Sequence, residues 1–118
     1  MSINRLGVAI LSNGRCPALL RHIVETWQKL GAEVAVAGTP AAIAAGQPNR
    51  GQVVSVAPAD HGAAFRVAID LIERPFALVS ADDILPVGHE WRGELPLQAR
   101  ALQAVKLLSV TGQRWGDW

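Results

Sequence analysis

Ser80-Ala81-Asp82-Asp83 sets two adjacent carboxylates at the end of an apolar run, "PFALVS" (75–80), in a chain with only ten acids among 118 residues. Carboxylate oxygens are hard ligands. One or two of them, completed by water and substrate phosphates, are the usual protein share of a Mg²⁺ or Mn²⁺ site. An aspartate at a strand end is also a common turn former or helix N-cap, and the pair by itself leaves both roles open. A second candidate stretch, "SNGR" (12–15), follows the first apolar run of the chain. Asn13 and Gly14 are ordinary turn chemistry, whereas Arg15 near a helix start opposes the helix dipole unless an anion sits there. The helix start in "NGRCP" could offer backbone N–H donors to phosphate. Arg66 could reach a phosphate, but Asp70 lies four residues on, and the spacing favours a surface pair between them. His61 falls in a turn, where a lone histidine is ordinarily solvated.

These residues need elements to position them. "RLGVAILS" (5–12) is a near-continuous apolar run, the pattern of a strand covered on both faces. Pro17 suits the first turn of a helix, and Leu20, Ile23, Val24, Trp27 and Leu30 then recur at helical spacing until Gly31. "EVAVAGT" (33–39) reads as a second strand, 40–51 as a short helix or loop, and "QVVSVAP" (52–58) as a third strand. A helix over 60–73 has Phe65, Ala68, Ile69 and Ile72 on one face, and a fourth strand over 75–80 delivers the acids. A further helix over 96–106 and a strand over 107–112 are predicted beyond them. Strand and helix alternate as in a parallel sheet with helices on its faces. Ligands of such sheets bind outside the carboxyl ends of the strands, where the strand order reverses. If the first and fourth strands are neighbours, "SNGR" and "SADD" meet there.

The composition narrows the function classes. Half of the residues are hydrophobic and 18% are charged, which makes the chain globular. The length suits a single domain over 1–118. A net charge of +1 with scattered Lys and Arg gives no electrostatic case for nucleic acid. Cys16 is the single cysteine, so neither a disulfide framework nor a cysteine zinc site is available, which fits a cytoplasmic protein. The apolar stretch at the start is too short for a transmembrane segment. Trp115 and Trp118 end the chain in "GQRWGDW", and two large aromatics want something to pack against. Folding back on this domain would cover them, and otherwise a homo-oligomer, a partner chain or a C-terminal continuation at this Trp-rich end would. No P-loop, dinucleotide fingerprint, nucleophile elbow or H-E-x-x-H stretch occurs.

In order and spacing these pieces resemble the nucleotide-sugar-binding part of a GT-A fold glycosyltransferase, family 2-like. "VAILSNGRCPALLRHIVETWQKLGAEVAVAGT" is similar to that family's opening strand, helix and second strand. "HGAAFRVAIDLIERPFALVSADDILPVGHEW" is similar to its helix and strand leading into an acidic D-x-D signature. "TGQRWGDW" is similar to a Gly-x-Arg-Trp-x-x-Trp stretch found in some members. The resemblance implies an α/β fold, a three-layer α/β/α sandwich with a mostly parallel sheet of nucleotide-diphospho-sugar transferase type, here truncated. It implies binding of a nucleoside diphosphate sugar of UDP type. Leu11, Ser12, Asn13 and Arg15 would line base and ribose, His61, Arg66 and Ala81 would lie near the nucleotide, and Asp82 and Asp83 would hold Mn²⁺ or Mg²⁺ on the diphosphate. Two departures stand out. Ser80 occupies the place of the first acid, and the family's catalytic base and acceptor segment have no match. Glu90, Glu94 and Asp117 are the only later acids, and none carries the family's context. The implied activity is therefore donor binding with possible glycosyl transfer. The alternative is a non-catalytic nucleotide- or protein-binding module of the same fold. A receiver-like domain would need acids after the first strand as well, and "AILSNGR" has none.

Overall fold

Seven consecutive buried residues, Leu6–Ser12, form the first strand, β1. The structure is a computed structural model that describes residues 3–82. The chain divides into two compact units, and these residues belong to the one spanning Ser2–Pro86. The predicted helix over 96–106, the strand over 107–112, Asp83 and both C-terminal tryptophans lie outside the described residues.

Four strands make one sheet: β1, β2 (Glu33–Gly38), β3 (Arg50–Val53) and β4 (Phe76–Ala81). Their order is β3-β2-β1-β4, and every pairing is parallel. Three helices connect them: α1 (Pro17–Lys29), α2 (Pro40–Gly46) and α3 (His61–Leu71). The protein is thus α/β with a four-stranded parallel sheet. None of the described helices is long and apolar enough to cross a membrane.

The path β1→β2→β3 steps one way across the sheet, and β3→β4 then returns past β1. Right-handed crossovers place α1 and α2 on one face and α3 on the other. Side chains agree. Ala64 and Ala68 of α3 pack with Ala9, Leu11 and Ala37 of the sheet. The alternate strand residues Val8, Ile10, Val34 and Val36 are fully buried on the opposite face. The buried residues of α1, Leu20, Ile23, Val24 and Trp27, keep helical spacing. α1 ends in a Schellman motif: the Ala32 N–H donates to the Trp27 carbonyl and the Gly31 N–H to that of Gln28, with Gly31 at φ +99°.

Two elements depart from the sequence reading. The third strand covers Arg50–Val53 and not 52–58. Its register runs from Ala35↔Arg50 to Gly38↔Val53, so the end of β2 also ends the ladder. Val54 still donates to the Gly38 carbonyl. Val54 and Val56 then leave the sheet and pack against the α3 cluster, so their apolar alternation marks a lining segment and not a strand. In α3 the buried residues are Ala64 and Ala68. Ile69, expected on the apolar face, is 38% exposed. Ile72 lies past the helix end in extended backbone and packs over Gly7 of β1. Small residues on both sides, Ala64 and Ala68 against Ala9 and Ala37, let α3 approach closely, and the helix rotates to present them.

The amino-terminal edge of the sheet is tied by charge. The buried Glu33 carboxylate accepts from the Glu73 backbone N–H at 2.8 Å and faces Arg50 Nε at 3.7 Å. Arg50 also pairs with Glu73 at 2.8 Å. Arg74 donates to the carbonyls of Asn4 and Gly31. These contacts hold the start of β4 beside the starts of β1 and β2, on the edge opposite the carboxyl ends.

Candidate functional site

β1 and β4 are neighbours, with Leu11 opposite Ala81 in the register. Their carboxyl ends therefore lie together at the point where the strand order reverses, the position at which open α/β sheets bind ligands. β1 continues into the turn before α1, and β4 continues into Asp82. Sequence positions 70 residues apart close into one hydrogen-bonded group: the Ser12 hydroxyl donates to Asp82 Oδ2 at 2.9 Å. The Gly14 N–H donates to the same Ser12 oxygen at 3.1 Å.

The third side of this edge comes from the start of α2. Thr39 is its N-cap and accepts from the Ala42 N–H at 3.1 Å, with Pro40 at the first helical position. The Thr39 hydroxyl donates to the Asn13 carbonyl at 3.0 Å, and its backbone N–H to the Ser12 carbonyl at 3.3 Å. Two glycines make this approach possible. Gly14 adopts φ +76°, and a Cβ there would lie 2.9 Å from the Ala42 nitrogen. A Cβ on Gly38 would overlap the Ser12 carbonyl oxygen.

Each expected site residue except Asp83 has a definite place among the described residues. Ser12 is buried, at 2% exposure, so its side chain serves Asp82 and Gly14 and offers no surface to a ligand. Leu11 is buried in the cluster beneath α3, and only its backbone belongs to the edge. Asn13 is exposed, and its side-chain oxygen accepts from the Arg15 N–H at 2.9 Å. Arg15 is exposed in the turn. Ala81 and Asp82 are half-buried. The N–H groups of Gly14 and Arg15 are thus taken up within the turn. Among the described residues of this turn, the backbone donors left to a ligand are those of the first turn of α1, where Cys16 makes no side-chain cap and Pro17 has no N–H.

His61 and Arg66 are not brought into this group. His61 opens α3 beyond the end of β3, is exposed, and donates from Nε2 to the Val56 carbonyl at 2.9 Å. Beside it lies a hollow of about 290 Å³ lined by Val54, Ser55, Asp60, Ala63, Ala64 and Val67. Ser55 donates to Asp60 there at 2.7 Å. Arg66 is exposed five residues further along α3, roughly 7.5 Å down the helix from its start. Arg66 and Asp70 form no ion pair; both point to solvent separately.

Among the described residues, no three His, Cys, Asp or Glu side chains gather as a metal cage. Among the described residues, Asp82 is the carboxylate at this edge, with one oxygen engaged by Ser12 and a helix start beside it. Such a donor set fits an octahedral hard cation that takes most of its ligands from water and phosphate. Compared with protein-family models, curated proteins and solved structures, the chain matches none.

Thr39 and Gly38 are the site residues that sequence reasoning missed. The signal was present in "GTP" (38–40): a threonine before a proline is a strong helix N-cap followed by the favoured first residue.

Proposed function

We propose that this protein binds a nucleoside diphosphate sugar of UDP type at the carboxyl edge between β1 and β4, through Mn²⁺ or Mg²⁺ held by Asp82, as a GT-A-type donor-binding domain. The observation that carries the reading is the Ser12–Asp82 hydrogen bond across the switch point. It joins the acidic motif to the turn that resembles the family's nucleotide loop. A bound ion would supply Lewis-acid compensation of the diphosphate charge. The chain's own residues do the rest. Asp82 presents a carboxylate fixed at one oxygen, the first turn of α1 offers backbone donors to phosphate, and exposed Asn13 and Arg15 flank the approach. Arg15, unfavourable beside a helix start on its own, is matched by an anion there.

Isothermal titration of UDP into the full chain tests this reading. Binding is expected with Mn²⁺ and is expected to weaken sharply without it. Asp82→Asn keeps an oxygen to accept from Ser12 but removes the charge, and should lose the metal-dependent part. Equal binding by Asp82→Asn, or no binding by the native chain, would overturn the proposal.

A further inference from the structure

We infer that Ser12 is a positioning residue that sets the divalent-cation affinity of the Asp82 carboxylate, and not a residue that touches the nucleotide; this rests on the donor-binding reading above. A serine hydroxyl has one proton to give. Here the proton goes to Asp82 Oδ2 at 2.9 Å, while the hydroxyl oxygen receives the Gly14 N–H at 3.1 Å. With donor and acceptor both engaged, the rotor has one orientation. The backbone beneath it is equally fixed: β1 is paired on both sides, by β2 and by β4. The Ser12 carbonyl receives the Thr39 N–H and abuts Gly38. At 2% exposure the side chain is closed to solvent.

Asp82, by contrast, is half-buried and sits just past the last residue of β4. A carboxylate at a strand end has free rotation about two torsions unless something holds it. The Ser12 donor holds Oδ2 and so orients the whole group. A hydrogen-bond partner behind a metal-binding carboxylate acts in this way, and its removal commonly costs about 10- to 100-fold in metal affinity. The Gly14 link adds a second consequence: the turn that leads into α1 and the carboxylate on β4 share one oxygen atom, so displacement of the turn also displaces Asp82.

The test is Mn²⁺ binding by the full chain at saturating UDP, read from loss of the free-ion electron paramagnetic resonance signal beyond the loss that the same UDP concentration causes without protein. Ser12→Ala should weaken Mn²⁺ by about 10- to 100-fold, a larger fold-loss than that of UDP without metal. Ser12→Cys, with a weaker donor of similar shape, should fall between, and it carries the test if the alanine variant does not fold. Native Mn²⁺ affinity in either folded variant would show that Ser12 only braces the strand ends, and would overturn the inference alone. Absence of Mn²⁺ binding by the native chain with UDP would overturn the donor-binding reading, and the role of Ser12 with it.

Discussion

Gly38 lies against the Ser12 carbonyl so closely that any Cβ at that position would overlap its oxygen. The contact joins the last residue of β2 to the last residue of β1. It leaves room for the Thr39 N–H to reach the same carbonyl. Backbone packing, and not side-chain size, thus determines how the β1 and β2 ends meet beside Asp82.

Gly38→Ala is therefore expected to destabilise the protein by about 3 kcal/mol, the upper part of the range for overpacking, because the obstructing atom is backbone and cannot swing away. The melting temperature should fall by roughly 10 °C or more. Gly31→Ala is the control. Its φ is +99°, but no atom lies within 4 Å of the added Cβ. The cost should be the left-handed strain alone, about 1–2 kcal/mol. Urea unfolding of the two variants checks the order, and an equal loss would contradict it.

At the opposite edge, Glu33 combines a hydrogen bond with a charge. Its contact to Arg50 Nε at 3.7 Å is too long for a hydrogen bond, and the Arg50 side chain is 40% exposed, so solvent screens the pair. The Glu73 N–H at 2.8 Å is the stronger tie. Glu33→Gln keeps an oxygen acceptor and should cost under about 1 kcal/mol. Glu33→Ala leaves that N–H and Arg50 without it and should cost about 1–3 kcal/mol. Denaturant midpoints of both variants decide whether the hydrogen bond or the charge dominates.

Acid has a defined effect on α1. The hydrogen bond from Lys29 at 2.9 Å, then the Lys29 and Arg21 charges, hold the Glu25 carboxyl below its ordinary value of 4.5. A lowered folded value means the carboxylate stabilises the fold above pH 4.5, and this contribution is lost as pH falls through the lowered value. Lys29→Met should melt below the native protein at neutral pH and low salt, and the two should converge in acid. Added salt should narrow the neutral-pH gap. Melting curves from pH 7 to about pH 2 measure the convergence.

Much of this architecture can be read from residue pattern, and the exceptions have physical causes. β1 and β2 announce themselves because both faces are covered, so nearly every residue is apolar. α1 does so because Leu20, Ile23, Val24 and Trp27 face one way. β3 does not: Arg50, Gly51 and Gln52 have no apolar alternation, and its residues are mostly exposed. The rotation of α3 depends on alanines meeting alanines across the sheet, a matter of closeness that periodicity does not encode. For the site, the acid at the end of β4 was visible in sequence, and so was the condition that β1 and β4 be neighbours. That Ser12 turns inward to Asp82 was not, because a hydroxyl's direction depends on which strands pair. The Thr39 link to Asn13 is a contact between two turns 26 residues apart, again beyond local pattern.

The central claim is a metal-dependent nucleoside diphosphate site built on Asp82. Thermal unfolding of the full chain with excess UDP, with and without Mn²⁺, tests it most directly when run beside Asp82→Ala. At about a hundred times its Kd a ligand adds roughly 2.7 kcal/mol, which should raise the melting temperature by roughly 8–16 °C. A rise that needs both UDP and Mn²⁺ and disappears in Asp82→Ala is the result expected. No rise with UDP or any other nucleoside diphosphate, or a rise retained in Asp82→Ala, would contradict the site.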